Sequence, residues 1–132
     1  MNELKARIKQ HEGCRLRPYE DSLGVLTVGY GRNLRDVPFT EAEVELMFET
    51  DFERAKRAAQ AFFIYELLDD PRKGVLIELC FQLGPRGVSG FKNMLKAMER
   101  KDWHRAAEEL LDSRYATQVP NRAKALADIL RG

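Results

Sequence analysis

The strongest folding signal in the chain is a helix start at Thr40. Thr40 and Glu43 form a T-x-x-E capping box, and Phe39 with Val44 supplies the matching hydrophobic staple. Val44, Met47, Phe48, Phe52, Ala55 and Ala59 then keep one apolar stripe at helical period for about five turns. One long helix this early in a chain of 132 residues divides a short N-terminal segment from a longer C-terminal one. It predicts two lobes joined by a connecting helix over residues 40–61.

The flanking segments read differently from each other. Asn2 can cap a first helix whose Leu4 and Ile8 share a face, and Gly13 stands where that helix should stop. Two extended runs come next, 15–19 and 25–30, separated by E-D-S-L-G. Pro18, the β-branched Val25, Thr27 and Val28, and the turn residues Asp21, Ser22 and Gly24 favour a hairpin over a helix. Gly29 and Gly31 suggest a bend or a close approach of backbone. From Phe62 onward every element reads helical. Asp70-Pro71 opens a helix through Val75, Leu76, Leu79, Cys80 and Leu83 to Gly84, and P-R-G-V-S-G reads as a loop into a helix over 91–100. Asp102 caps the next helix, which starts at Trp103, and Pro120 opens the last, with Ala123, Leu126, Ala127 and Leu130 facing inward. The expectation is a mostly helical α+β protein of one domain: a small β lobe over 12–39, the connecting helix, and a helical lobe over 62–132 that takes in the N-terminal helix.

Charge and cysteine content narrow the function classes. Lys and Arg total 22 against 21 Asp and Glu, a net charge of +1, so the basic footprint of a nucleic-acid-binding domain is missing. From Asp36 to Glu53 there are seven acidic residues and no basic one, which reads as the solvated face of a helix. No apolar run is long enough to span a membrane, and the N-terminus lacks the apolar stretch of a secretory signal. The expectation is a monomer made in a cytoplasm, with no stable membrane association. Two cysteines make no disulfide framework, and with only His11 and His104 no metal site or cofactor is expected. Cys80 reads as a buried thiol. Cys14, two residues past Glu12, has no signal of a partnering base and reads as inert.

The chemistry-bearing stretch is H-E-G-C-R-L-R-P-Y-E-D-S-L-G-V-L-T, which holds Glu12, Asp21 and Thr27 with eight and then five residues between them. A helix end running into a hairpin can bring two carboxyls and a hydroxyl to one bond. Glycoside hydrolysis by inversion needs such parts: one carboxyl as acid, and a second group set to activate water. Each residue alone has a plain reading, as a solvated glutamate, a turn aspartate and a strand threonine. The combination points to catalysis.

The E-x8-D-x5-T spacing, with H-E-G, Y-x-D and T-V-G-Y-G around it, resembles the T4-type phage lysozymes, the endolysins of glycoside hydrolase family 24. Two further blocks fall in the same order. One is F-Q-L-G-x-x-G-V-S-G-F over 81–91. The other is W-x-x-A-A over 103–107 with S-R-Y-x-x-Q-x-P-N-R-A over 113–123. The resemblance implies a lysozyme-like fold and an inverting muramidase. Its substrate would be the β-1,4 bond between N-acetylmuramic acid and N-acetylglucosamine in peptidoglycan, and its effect bacterial lysis. Glu12 would be the acid, and Asp21 and Thr27 would orient the attacking water. Phe81 and Gln82 would line the cleft, with Arg114, Tyr115 and Gln118 offering hydrogen bonds and a ring surface to sugar. Arg122 would support Glu12 from the base of the cleft, favouring its carboxylate form, while the helix end disfavours ionisation. A holin would be the partner that lets such an enzyme reach the wall.

The bland readings run beside these. Phe81 reads as core whatever the function, Tyr115 and Arg114 could cover a helix junction, and Trp103 reads as packing. The chain departs from the family at His11, where relatives carry aspartate, and at Arg32, where they carry histidine; the link over 33–38 is also compressed. A lytic transglycosylase, which needs only the glutamate, and a silent wall-binding module are the competing readings.

Overall fold

The computed structural model describes all residues from Met1 to Gly132. Seven helices and one three-stranded antiparallel sheet make a mostly helical α+β fold, as expected. The chain divides into two compact units, Met1–Glu45 and Leu46–Gly132. No helix is long and apolar enough to cross a membrane.

In the first unit α1 (Asn2–Glu12) starts at Met1 without a side-chain cap, so Asn2 is its first residue and not its cap. Gly13 ends it, donating its N–H to Lys9 O at 2.8 Å. No residue of α1 is buried. The sheet comes next as β1 (Arg15–Glu20), β2 (Leu26–Gly29) and β3 (Arg32–Asn33) in spatial order. Tyr19 pairs with Thr27 and Glu20 with Leu26, but the register shifts between Arg15 and Tyr19. That interval contains Pro18, which has no N–H to give to a ladder and is tolerated because β1 is an edge strand. The hairpin is as expected from the turn residues. β3 carries no signal in the sequence, because two residues are too short to show a period-2 pattern.

α2 (Glu41–Gln60) begins at the expected capping box. Thr40 N donates to Glu43 Oε1 at 2.8 Å and Glu43 N to Thr40 Oγ1 at 3.2 Å. Glu43 is more than part of a solvated acidic face. Arg32 grips the same carboxylate with both terminal nitrogens, Nη1 to Oε1 at 3.3 Å and Nη2 to Oε2.

The second unit is all helical. A 3-10 turn (Phe63–Leu67) leads to α3 (Asp70–Ser89), then α4 (Lys92–Glu99), α5 (Trp103–Leu111), α6 (Arg114–Gln118) and α7 (Pro120–Arg131). The cap of α3 is Asp69, one residue before the expected Asp70; its carboxylate accepts from Arg72 N at 3.1 Å. The expected loop after Leu83 is instead a second helical segment set off by a kink. Gly84 takes φ 73°, ψ 167°, outside the helical region and open to glycine, and Pro85 restarts the helix with its fixed φ. Val88 in that segment is fully buried, so the turn is held by packing.

α5 packs on α4 and α7, and α7 also meets α3 and α6. The seam is lined by small residues with no exposed surface, Ala106 and Ala107 against Ala123 and Ala127, with Leu110, Leu130, Leu76 and Leu79 filling around them. Small side chains let the backbones approach, and the leucines supply the area that stabilises the unit at about 25 cal/mol per Å².

Arg72 ties this unit together in a way no sequence pattern announces. Its Nε donates to Leu130 O at 2.8 Å in the last turn of α7, its Nη1 reaches Asp69, and its guanidinium lies 4.0 Å from the Trp103 ring centroid. Trp103 is therefore packing, as expected, with a cation on its face. Replacing Arg72 by Ala leaves a carbonyl unsatisfied and uncovers the indole. The expected loss is about 2–4 kcal/mol, read from urea unfolding midpoints.

A second prediction concerns acid. The Arg32 guanidinium, then the Thr40 N–H, hold the Glu43 carboxyl at about 2, against 4.5 when free. A depressed folded pKa stabilises the fold above the unfolded value and loses that contribution as pH falls from about 4.5 toward about 2. Solvent screens this part-exposed pair, so the effect is small: Glu43→Gln should lose slightly less stability than the parent between about pH 5 and about pH 2.

Candidate active site

All three members of the E-x8-D-x5-T pattern lie in the first unit. Glu12 is the last residue of α1 and is exposed, not sunk among apolar neighbours. Its carboxylate faces the turn between β2 and β3 so closely that a Cβ built on Gly31 would stand 2.8 Å from Oε2. Gly31 also has φ 81°, a backbone conformation that strains any L side chain, while the carboxylate it would meet is the mobile end of an exposed glutamate. Of the two glycines read as a bend or a close approach, Gly31 is the one beside the glutamate, while Gly29 faces open space.

Asp21 opens the β1–β2 turn. Its Oδ1 accepts from Leu23 N at 2.8 Å and from Val25 N at 2.9 Å, while its own N–H donates to Val25 O at 2.9 Å. Thr27, on β2, is 4 % exposed and donates from Oγ1 to the same Val25 carbonyl at 2.8 Å. One residue's backbone, that of Val25, therefore holds both the carboxylate and the hydroxyl. With the Thr27 proton committed to Val25, its hydroxyl oxygen can only accept from anything further. Oδ2 of Asp21 carries none of the turn's hydrogen bonds. Both remaining oxygens are acceptors.

The other expected residues lie in the second unit. Phe81 is 41 % exposed, a correction to its reading as core: it sits on the outer side of α3, its ring centroid 5.7 Å from that of Phe48. Gln82 is exposed and accepts the Tyr115 hydroxyl at 2.9 Å. Tyr115 itself is buried, edge-on to Phe91 at 6.2 Å, so the ring surface expected of it is packed inside and its hydroxyl orients Gln82. Burial pushes its phenol above the ordinary value, Arg122 opposing and Glu78 adding. Arg114 and Gln118 lie on α6, where Gln118 is exposed. Arg122 Nε donates to Glu78 Oε2 at 2.7 Å, a carboxylate the sequence pattern does not single out. The two flank a groove of about 450 Å³ whose apolar side is Phe48, Phe52, Ile77 and Phe81.

Neither cysteine belongs to this arrangement. Cys80 is buried, and burial alone pushes its thiol up to about 11; Cys14 is exposed.

The sequence model of the phage lysozymes matches residues 9–128. The chain belongs to the phage lysozyme family. That match spans Glu12, Asp21 and Thr27 as well as both downstream blocks. Among curated relatives, the "Probable T4-type lysozyme 1" of Dictyostelium discoideum is 28% identical, the comparison covering 98% of this chain and 94% of the relative. "Probable T4-type lysozyme 2" from the same organism is 29% identical with the same coverage. The "Pre-baseplate central spike protein Gp5" of Enterobacteria phage T4 is 25% identical over 93% of this chain and 26% of its own length.

The contact between Gly31 and Glu12 gives this lysozyme a test. In Gly31→Ala the new methyl displaces the carboxylate, and the positive φ costs the fold about 1–2 kcal/mol. Wall-clearing activity should fall at least tenfold, while thermal unfolding shows a folded protein only slightly less stable.

Proposed function

We propose that the protein cleaves the β-1,4 bond between N-acetylmuramic acid and N-acetylglucosamine with inversion, Glu12 acting as general acid and Asp21 with Thr27 positioning water. Membership of the phage lysozyme family makes it a glycosidase acting on peptidoglycan; the bond, the stereochemistry and the residue roles are the proposal. The observation that supports it best is the shared hold on Val25, which leaves an acceptor pair beside the turn.

The steps are set by the groups. The protonated Glu12 carboxyl gives its proton to the glycosidic oxygen as the bond breaks. Water held by Asp21 Oδ2 and Thr27 Oγ1 loses a proton toward the carboxylate as its oxygen attacks the anomeric carbon from the opposite face. The product leaves with inverted configuration, and Glu12 regains a proton from solvent. General acid catalysis supplies about 10²–10⁴ in rate. Phe81, Gln82, Arg114 and Gln118 are assigned to contacts with the glycan, and Tyr115 to orienting Gln82. Arg122 is assigned a supporting role.

Glu12→Gln should remove wall lysis by at least about a hundredfold with an unchanged unfolding midpoint. Proton NMR of early product from the parent enzyme should show the α-anomer first. Undiminished lysis by the variant would sink the role of Glu12; β-anomer first would mean retention, and 1,6-anhydro ends a transglycosylase.

A further inference from the structure

We propose that the Arg32–Glu43 ion pair is a positioning device for catalysis, holding Gly31 against Glu12 so that the general-acid carboxyl keeps one orientation. This rests on the reading of Glu12 as the acid. Arg32 would act through Gly31 and Glu12 and would not touch substrate.

The need for such a device lies in the backbone. Gly31 sits in a turn with a second positive-φ glycine, Gly29, and leads into a strand of only two residues at the sheet edge. Two residues of ladder and a residue without a side chain do not fix a turn, because glycine retains the widest choice of conformation. Gly31 nonetheless lies beside the Glu12 carboxylate: a Cβ built on it would stand 2.8 Å from Oε2. What immobilises it has to act from a neighbour, and Arg32 is the next residue.

Arg32 is fastened three ways. Its two terminal nitrogens engage the two oxygens of Glu43, Nη1 at 3.3 Å. Its guanidinium also lies 5.4 Å from the centroid of Phe39. Glu43 is held in turn, since Oε1 accepts Thr40 N as the reciprocal half of the capping box. The anchor is therefore the first turn of α2, a rigid element, and the compressed link over 33–38 is short enough to let β3 reach it. Side-chain exposures of 32% and 36% mean solvent screens the pair, so it contributes little stability. Its two-pronged geometry fixes orientation instead, which a lysine cannot reproduce with one point charge.

The test measures kcat and KM on soluble glycan strands for Arg32→Ala, Arg32→Lys, Glu43→Gln, Arg32→Glu, Glu43→Arg and the charge-swapped Arg32→Glu/Glu43→Arg pair, with unfolding midpoints. Arg32→Ala and Glu43→Gln should lower kcat about tenfold with KM within about twofold and the fold intact. Arg32→Lys should recover only part of kcat, and the swapped pair more than either of its single changes. A rise in KM alone would make Arg32 a glycan contact. A loss of kcat that tracks the unfolding midpoint, or no loss, would make the pair merely structural. Each of these overturns the proposal. Glu12→Gln is run beside them: if it stays active, the acid assignment fails on its own, whatever the Arg32 variants do.

Discussion

The first 45 residues form a unit with two buried side chains, Val25 and Thr27. A segment of that size cannot be held by apolar burial alone, since too little surface leaves water. Polar contacts hold it instead. The Val25 backbone takes the Asp21 carboxylate on one side and the Asp21 N–H and Thr27 hydroxyl on the other. Asn33 Oδ1 accepts from Arg35 N and Asp36 N, each at 2.9 Å, and Arg32 closes on Glu43. The residues that give this unit its shape are therefore those proposed for its chemistry, or their immediate neighbours.

The helical unit shows the opposite economy. Its core is continuous from Ala55 to Leu130 and built largely of residues with no exposed surface. Polar groups there serve the packing: Arg72 satisfies a carbonyl at the end of α7, and Tyr115 donates to Gln82. Apolar burial concentrates in one unit and the residues proposed for acid–base chemistry lie in the other, so each sequence segment answers to a different demand.

This division explains what can be read from the sequence. Helices with a core face announce themselves by period, so α2, α5 and α7 are legible from Thr40, Asp102 and Pro120 with the apolar positions behind them. The hairpin is legible from its turn chemistry. The kink at Gly84 reads as a loop, because glycine and proline mark a break without saying whether the helix resumes; the burial of Val88 decides that, and it is a tertiary fact. Phe81 reads as core for a related reason, since its place in V-L-I-E-L-C-F does not say which side of α3 it occupies. Among candidate site residues the spacing of Glu12, Asp21 and Thr27 is visible. The Val25 linkage is not, because it runs through backbone atoms every residue has.

Arg32 and Glu43 show how one residue can satisfy two levels of organisation. Glu43 would cap α2 in any protein with Thr40 three residues earlier, and the acidic stretch around it suggests nothing beyond a wetted helix face. Once the chain between β3 and α2 is short, the same carboxylate falls within reach of the residue next to Gly31. On the proposal above, local helix formation then sets the position of the turn beside Glu12, without any added core. A small unit that must keep its working groups exposed cannot gain rigidity from burial. It can gain it by attaching the working turn to the end of a helix that is stable for other reasons, and a bidentate arginine is the side chain whose geometry allows that.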